Sequence, residues 1–397
     1  MKKFCLLIVG LFCCLAGYAQ QAIFSGSQII SPEINSDNSV TFRLYAPNAQ
    51  NVKVTGDFLP AEKVDIPGYG VVDTMGQRDL FKDENDVWEF TSEILEPELY
   101  SYSFVVDGML MNDPANVHLK RDVASVTNIF LIDGDRAHYY KVNDVPHGTV
   151  SKVWYDSPGL NKKRRMTIYT PPGYEDSDQQ YPVFYLLHGA GGDEDAWATL
   201  GRATQILDNL IAEGKAEPMI VVMTNGNAVQ SAAPGESAEG FVVPKMDVSR
   251  MNRGEFELAF PDVVNYVDKH YRTKADKAHR AIAGLSMGGF HSLHTSKQYP
   301  DLFDYVGLFS AAIFPFEGAT SPIYDDMEGK LKTQFEKNPK LYWIAIGDQD
   351  FLYEDNVKYR KLLDDNKYPY VYFETPEGHI WKNWRIYLTE FVPKLFK

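Results

Sequence analysis

The stretch "RAIAGLSMGGFHS" (280–292) constrains the fold of this chain more than any other. An apolar run ends at Ser286, and Gly284, Gly288 and Gly289 crowd that serine. A strand, Gly-x-Ser-x-Gly, then a helix describes a turn too tight for side chains on its flanks. Gly284 and Gly288 remove the Cβ atoms that would collide across it, and Gly289 lets the following helix approach the strand. The hydroxyl is left exposed at a helix N-terminus, where the dipole favours developing negative charge. A glycine-rich helix start also satisfies the bare pattern. The apolar strand in front favours the reading of Ser286 as a nucleophile.

Such a turn needs an open sheet around it, and the chain after residue 150 is patterned for one. Short, nearly all-apolar runs alternate with longer helical stretches: "YPVFYLLHG" (181–189), "MIVVMTNG" (219–226), "RAIAGLS" (280–286), "YVGLFSA" (305–311), "LYWIAIG" (341–347) and "YVYFETP" (370–376). Runs of this kind fit parallel strands covered by helices on both faces. Before about residue 145 the pattern is different. "SVTFRLYAP" (39–47), "NVKVTGDF" (51–58), "VWEFTSEI" (87–94), "LYSYSFVVDG" (99–108) and "TNIFLI" (127–132) alternate apolar and polar positions or are rich in β-branched and aromatic residues. They predict a small antiparallel, immunoglobulin-like sandwich over 25–140. "DVPHGTV" (144–150) reads as the connection, and 150–397 as the α/β domain. Two domains suit a chain of 397 residues.

The start of the chain reads as a targeting segment. "MKKFCLLIVGLFCCLAGYAQ" has two lysines, an apolar run shorter than a membrane-spanning helix, and a small-x-small ending at Gly17-Tyr18-Ala19. Residues 1–19 are expected to be a signal peptide, which places the protein in the periplasm or outside a bacterial cell, with no membrane span. All three cysteines lie inside this segment, so no disulfide, catalytic thiol or thiolate-bound metal is expected in the exported chain. The net charge of −15 argues against nucleic acid as a partner. No His/Asp/Glu cluster has ligand spacing, and neither metal nor cofactor is expected.

A serine nucleophile needs a base, and the base needs an orienting acid, in the chain order nucleophile, acid, histidine. Beyond Ser286 stand only His291, His294 and His379. The first two ride on the serine's own helix, which carries them away from its hydroxyl. His379, in "TPEGHIWKNW" just after an apolar strand, is the candidate base. The preceding strand ends in "GDQDFLYEDN", which offers Asp348 and Asp350; spacing alone does not choose between them. Two backbone N–H groups must hold the developing oxyanion. One is on Met287, the residue after the nucleophile. The other is expected from "LLHGAGGDEDAW" (186–197), at Ala190, with Gly191 second. His188 precedes the serine and is read as a loop-bonding residue.

With these segments in view, residues from about 150 to 397 resemble carbohydrate esterase family 1 and the esterase D-like branch of the α/β-hydrolases. The carrying motifs are "YTPPGYEDSDQQYPVFYLLHGAGGDEDAW", "FPDVVNYVDKHYRT", "HRAIAGLSMGGFHSL", "GDQDFL" and "GHIWKNWR". The resemblance implies Asp350 as the acid, since the family's aspartate lies three residues after the strand-terminal glycine, here Gly347. Ile380 departs from the polar residue frequent in relatives. The N-terminal part is similar to family 48 carbohydrate-binding modules, through "VTFRLYAPNAQNVKVTGDF", "DVWEF", "ELYSYSFVVDG" and "NDPAN". Such modules bind glycans through exposed aromatics. Trp88 is the candidate, and Tyr100 and Tyr102 share one strand face, though a tryptophan on an alternating strand is more often core.

The resemblance implies a secreted serine esterase that releases ferulic acid from arabinoxylan through an acyl-enzyme, without cofactor, with feruloylated or acetylated xylan of plant cell walls as partner. Acetylxylan esterase, siderophore esterase and a non-catalytic glycan-binding protein are the alternatives. A long segment (226–252) and Trp381 are expected to shape the substrate pocket. Every proposed catalytic group lies after residue 185, so the first domain is expected to add none of the chemistry. A chain starting near His147 is then expected to keep its turnover of a small soluble ester.

Overall fold

The computed structural model describes residues 29–66, 70–244, 253–316, 318–319 and 321–397. The expected signal peptide and residues 245–252 of the long segment lie outside the described residues.

The N-terminal strands are β1 (Glu33–Ile34), β2 (Val40–Tyr45), β3 (Val52–Gly56), β4 (Glu62–Ile66), β5 (Gly70–Thr74) and β6 (Gln77–Asp79). They are followed by β7 (Phe81–Lys82), β8 (Val87–Thr91), β9 (Leu99–Val106), β10 (Met109–Met111), β11 (Leu119–Asp122) and β12 (Ser125–Leu131). One sheet runs β1-β2-β8-β7 and the other β11-β12-β9-β3-β6, with β10 also on β9; β4 and β5 form a separate ribbon. Alternate residues point between the sheets. Val40, Phe42 and Leu44 from one side meet Val54, Tyr102, Phe104 and Phe130 from the other. Phe42 sits 4.9 Å from both Phe58 and Tyr102, ring centre to ring centre.

This core absorbs the residues suggested for glycan stacking. Trp88, Tyr100 and Tyr102 are all buried in it, and the Trp88 indole N–H donates to the Ala46 carbonyl at 2.9 Å. The period-two pattern puts them on the inner faces, so none of the three is a platform for a sugar.

The second domain is built on β13 (Thr149–Ser157), β14 (Lys162–Thr170), β15 (Val183–Leu187), β16 (Ile220–Thr224), β17 (Arg280–Leu285), β18 (Tyr305–Phe309), β19 (Leu341–Gly347) and β20 (Val371–Thr375). Its helices are α1 (Ala196–Thr199), α2 (Ala203–Ala212), α3 (Glu255–His270), α4 (Met287–Gln298), α5 (Met327–Glu336), α6 (Tyr353–Asp365) and α7 (Trp381–Phe391). The sheet order is β13-β14-β16-β15-β17-β18-β19-β20. The strands from β16 and β15 through β20 are parallel; β13 and β14 are antiparallel additions that the apolar-run reading misses. The cause is β14 itself, "KKRRMTIYT", whose Arg164 and Arg165 are buried inside a strand. Helices α2 and α7 cover one face through Leu207, Tyr387 and Phe391. Helices α3 to α6 cover the other through Phe260, Leu293, Leu331 and Tyr359. This is the layered arrangement of an α/β-hydrolase.

The two domains share a core. Leu99 of the sandwich, with Ala137 and Tyr140 of the connecting segment, belongs to the cluster under α2 and α7. Glu98 and Arg385 form a buried ion pair across the boundary, Oε1 to Nη2 2.9 Å, and Arg385 also donates to the Leu99 carbonyl at 2.9 Å. The connection is tied down as well: Asn209 of α2 donates to the Tyr139 and Lys141 carbonyls, each at 3.0 Å.

Candidate active site

Ser286 stands at the turn from β17 to α4 with φ 55° and ψ −116°, a conformation that side chains rarely adopt. Neighbouring backbone holds it there. Its N–H donates to Phe309 of β18 at 2.9 Å, and its carbonyl accepts from Phe290 at 3.0 Å and Ala312 at 3.2 Å. The flanking glycines are required by contact. A Cβ on Gly284 would stand 2.4 Å from the Gly288 backbone, and one on Gly288 would stand 2.4 Å from the Leu187 carbonyl oxygen.

The strand registers bring the other candidates to the same sheet edge. Leu285 pairs with Phe309, Phe309 with Ala345, and Gly347 with Thr375. The loops after β17, β19 and β20 therefore open side by side at the carboxyl ends, where ligands bind in open α/β sheets. After β19, Asp350 turns inward, 4% exposed, while Asp348 faces solvent. Asp350 Oδ2 lies 2.8 Å from His379 Nδ1, and its Oδ1 accepts from the Leu352 N–H at 2.9 Å. The His379 ring rests between Phe351, centroids 4.5 Å apart, and Trp384, 4.9 Å apart. The last link, from the Ser286 hydroxyl to His379 Nε2, is not made as a hydrogen bond among the described residues. His291 and His294 lie buried along α4, His291 against Glu257 at 2.8 Å and His294 against the Ile313 carbonyl at 3.1 Å.

The loop after β15 lies against the elbow: a Cβ on Gly189 would come within 3.2 Å of Ser286 Cβ. No hydrogen bond takes the N–H of Ala190 or Gly191 among the described residues. Met287, first residue of α4, has no intrahelical acceptor for its own N–H. His188 ties the loop down at one end. Its Nδ1 lies 2.7 Å from the Gly189 carbonyl oxygen, and its Nε2 accepts from Gly226 at 2.7 Å. Burial lowers the His188 pKa, against the pull of the Gly189 carbonyl and of Asp193 and Glu194, so the ring is neutral.

Sequence reasoning missed what holds the other end. Asp193, Glu194 and Asp195 are each anchored. Glu194 pairs with Arg165 at 2.7 Å, and Asp195 with Arg165 at 3.2 Å and with Lys152. Asp193 pairs with Arg121, which belongs to the sandwich. The adjacent "RR" and "DED" were the available signal, since charges buried in a strand need partners. The first domain, expected to add none of the chemistry, nevertheless packs against this loop. Val123, in the turn between β11 and β12, packs on Gly191, whose Cβ would stand 2.8 Å from Val123 Cγ2. Its neighbour Asp122 is exposed to solvent on one side and crowded by protein on the other. That crowding raises its pKa, opposed by the Trp381 side chain and by the Arg121 charge. Trp381 itself packs against Trp197 and Trp384, with centroids 5.5 and 5.1 Å away.

Comparison with known proteins follows the same division. The Esterase family model matches residues 157–395, and the Carbohydrate-binding module 48 (Isoamylase N-terminal domain) model matches residues 30–120. An endo-1,4-beta-xylanase/feruloyl esterase of Xylanibacter ruminicola is 32% identical over 80% of this chain; the chain spans only 39% of that relative's length. A ferulic acid esterase from Anaeromyces mucronatus, solved with ferulic acid, is 27% identical over 65% of this chain and 95% of its own, with a TM-score of 0.52. The enterobactin esterase of Shigella flexneri, 16% identical, shares the fold across 90% of this chain and 93% of its own, with a TM-score of 0.60. No helix among the described residues is long and apolar enough to cross a membrane. The chain belongs to the esterase family whose model spans residues 157–395, built on an α/β-hydrolase fold, and its residues 30–120 match the carbohydrate-binding module 48 model.

Proposed function

We propose that this protein is an exported serine esterase that releases hydroxycinnamic acids, ferulic acid first, from arabinoxylan. The observation that carries the reading is the 2.8 Å contact of buried Asp350 with His379 at the sheet edge that also presents the strained Ser286 elbow. The names of the Xylanibacter and Anaeromyces relatives support the acyl group.

In this mechanism Ser286 Oγ attacks the ester carbonyl while His379 Nε2 takes its proton. The Nδ1–H donates to Asp350, which fixes the tautomer and stabilises the imidazolium. The N–H groups of Met287 and Ala190 receive the tetrahedral oxyanion; among the described residues neither has another acceptor to give up. Collapse expels the sugar alcohol, which takes the proton from His379 and leaves a feruloyl-Ser286 ester. Water, deprotonated by His379, then attacks that ester, and a second tetrahedral oxyanion collapses to ferulate and free serine. Phe351 beside the imidazole offers an exposed ring to an aryl acid.

The test is a substrate panel of methyl ferulate, acetylated xylan and a catecholate siderophore. Preferred hydrolysis of methyl ferulate is the expected result. Rapid turnover of the acetyl substrate alone, or of the siderophore alone, overturns the acyl assignment.

A further inference from the structure

The turn from β11 to β12 leaves the sandwich and meets the hydrolase at three points. Val123, with φ 50°, seats its side chain on Gly191. Arg121 forms an ion pair with Asp193 and, through Nη1, donates to the Val123 carbonyl at 3.1 Å. Asp122 approaches the side chain of Trp381, two residues beyond His379. On its other flank β11 walls a cleft of about 260 Å³, with Lys120 and Arg121 facing Asp195, Thr199 and Glu236. One short turn thus touches both the loop that carries Ala190 and the segment that carries His379.

The loop needs such support for a chemical reason. An oxyanion donor is useful only if its N–H is free and already aimed. The amides of Ala190 and Gly191 therefore cannot be spent on holding their own loop in place. Gly189, Gly191 and Gly192 give that stretch few side chains to pack with. His188 fixes its start, and Glu194 and Asp195 fix its end. The middle is held from outside. Asp193 is 2% exposed, and among the described residues its ion-pair partner is Arg121.

We propose that the β11–β12 turn is a positioning element for the oxyanion hole, in which Arg121 and Val123 fix the direction of the Ala190 and Gly191 N–H groups. The proposal rests on the esterase reading of the site, and its test separates the two. In the full-length chain, Arg121→Ala, Arg121→Lys, Val123→Gly and the pair Arg121→Ala/Asp193→Asn are compared with wild type. Amide hydrogen exchange needs no substrate. Arg121→Ala and Val123→Gly are expected to speed exchange across 190–193 at least about fivefold while β17 is unchanged. On methyl ferulate, kcat is expected to fall about 10- to 100-fold, the effect of a small misplacement, with KM within about twofold. The Ki of a boronic acid, which forms a tetrahedral adduct on serine, is expected to rise by the factor that kcat/KM loses. Arg121→Lys is expected to recover part of kcat. Adding Asp193→Asn removes the stranded buried charge and is expected to restore melting temperature without restoring kcat. Unchanged exchange with unchanged kcat overturns the proposal. So does full recovery of kcat by Asp193→Asn, which would make Arg121 a stabilising partner alone. If the wild type cleaves no ester, the functional reading fails, and the exchange measurement still decides whether the turn orders the loop.

Discussion

The sandwich keeps its buried polar cluster to itself, whereas two buried charges of the hydrolase are matched from outside it. In the sandwich the buried polar cluster closes on itself. Asp113 accepts from Ser31 at 2.6 Å and Tyr102 at 2.8 Å, Asn128 Oδ1 accepts the Asp113 N–H at 2.7 Å, and Asn116 donates to the Tyr102 hydroxyl at 3.1 Å. All five residues lie within that domain. The hydrolase buries charges as well, but two of them, Asp193 and Arg385, find their ionic partners across the boundary, in Arg121 and Glu98. A buried charge that loses its partner is far more costly than an exposed one. The domain with the chemistry therefore depends on the domain without it.

The sharpest way to test that division is to remove the chemistry alone. Ser286→Ala deletes one oxygen at a partly exposed turn. It is expected to lower kcat on methyl ferulate by about 10⁶-fold, with the melting temperature and the contact between domains unchanged. Asp350→Asn is expected to cost about 10⁴-fold, since the amide favours the wrong imidazole tautomer. Asp348→Asn, at a solvent-facing carboxylate, is expected to stay within about twofold. A crippling Asp348 change with a mild Asp350 change would move the acid to the other aspartate.

The next experiment reverses the design and removes support without touching the chemistry. Glu98→Ala leaves Arg385 buried without its counter-charge, which is expected to cost about 3–5 kcal/mol of stability, read by chemical denaturation. The coarser version is a chain beginning at His147. It exposes Leu99's place in the core of α2 and α7 and strands both Asp193 and Arg385. Aggregation, or loss of small-ester turnover, is expected. A soluble protein with full kcat would break the comparison and show that the chemistry does not depend on the sandwich.

How much of this was legible before the structure follows from how far each signal reaches along the chain. The elbow is local, and its glycines and apolar strand identify it without any partner. The parallel strands are local too, because burial on both faces makes each run apolar throughout. Asp350 and His379 lie 29 residues apart but follow consecutive strands, so chain order brings them together. The period-two alternation put Tyr100 and Tyr102 on one face without saying that it was the inner one. β14 escaped because its buried arginines look like surface. The boundary contacts were out of reach. Arg121 and Asp193 are 72 residues apart and Glu98 and Arg385 are 287 apart, and no periodicity or motif links either pair.

The smallest expected effect concerns a buried charge that the hydrolase handles alone. Lys297, on α4, is 1% exposed, and its Nζ donates to the Ile323 carbonyl at 2.8 Å. Burial lowers its pKa to about 7, the Lys330 charge pushes the same way, and Glu257, Asp325 and Asp326 oppose. An unfolded lysine titrates near 10.4. Between about pH 7 and 10 the unfolded chain thus holds a proton that the folded chain has released, and stability from this group rises with pH. Below about pH 7 both states are protonated, the full penalty is present and the slope vanishes. The neighbouring His294 is pushed well below the usual histidine range by burial and by Lys297, so its own titration falls on the acid side of this window. The rise is at most about 1.4 kcal/mol per pH unit. Thermal melts at pH 7, 8 and 9 are expected to show a smaller upward drift for Lys297→Met than for wild type, because methionine keeps the length and loses the charge. If the sandwich supports only Asp193 and Arg385, the Lys297-dependent drift should persist in Glu98→Ala. A Lys297→Met variant with the wild-type drift would show that the lysine stays protonated in the fold. The hydrolase would then carry a charged interior group without help, and the contrast with the sandwich would be confined to the two pairs at the boundary.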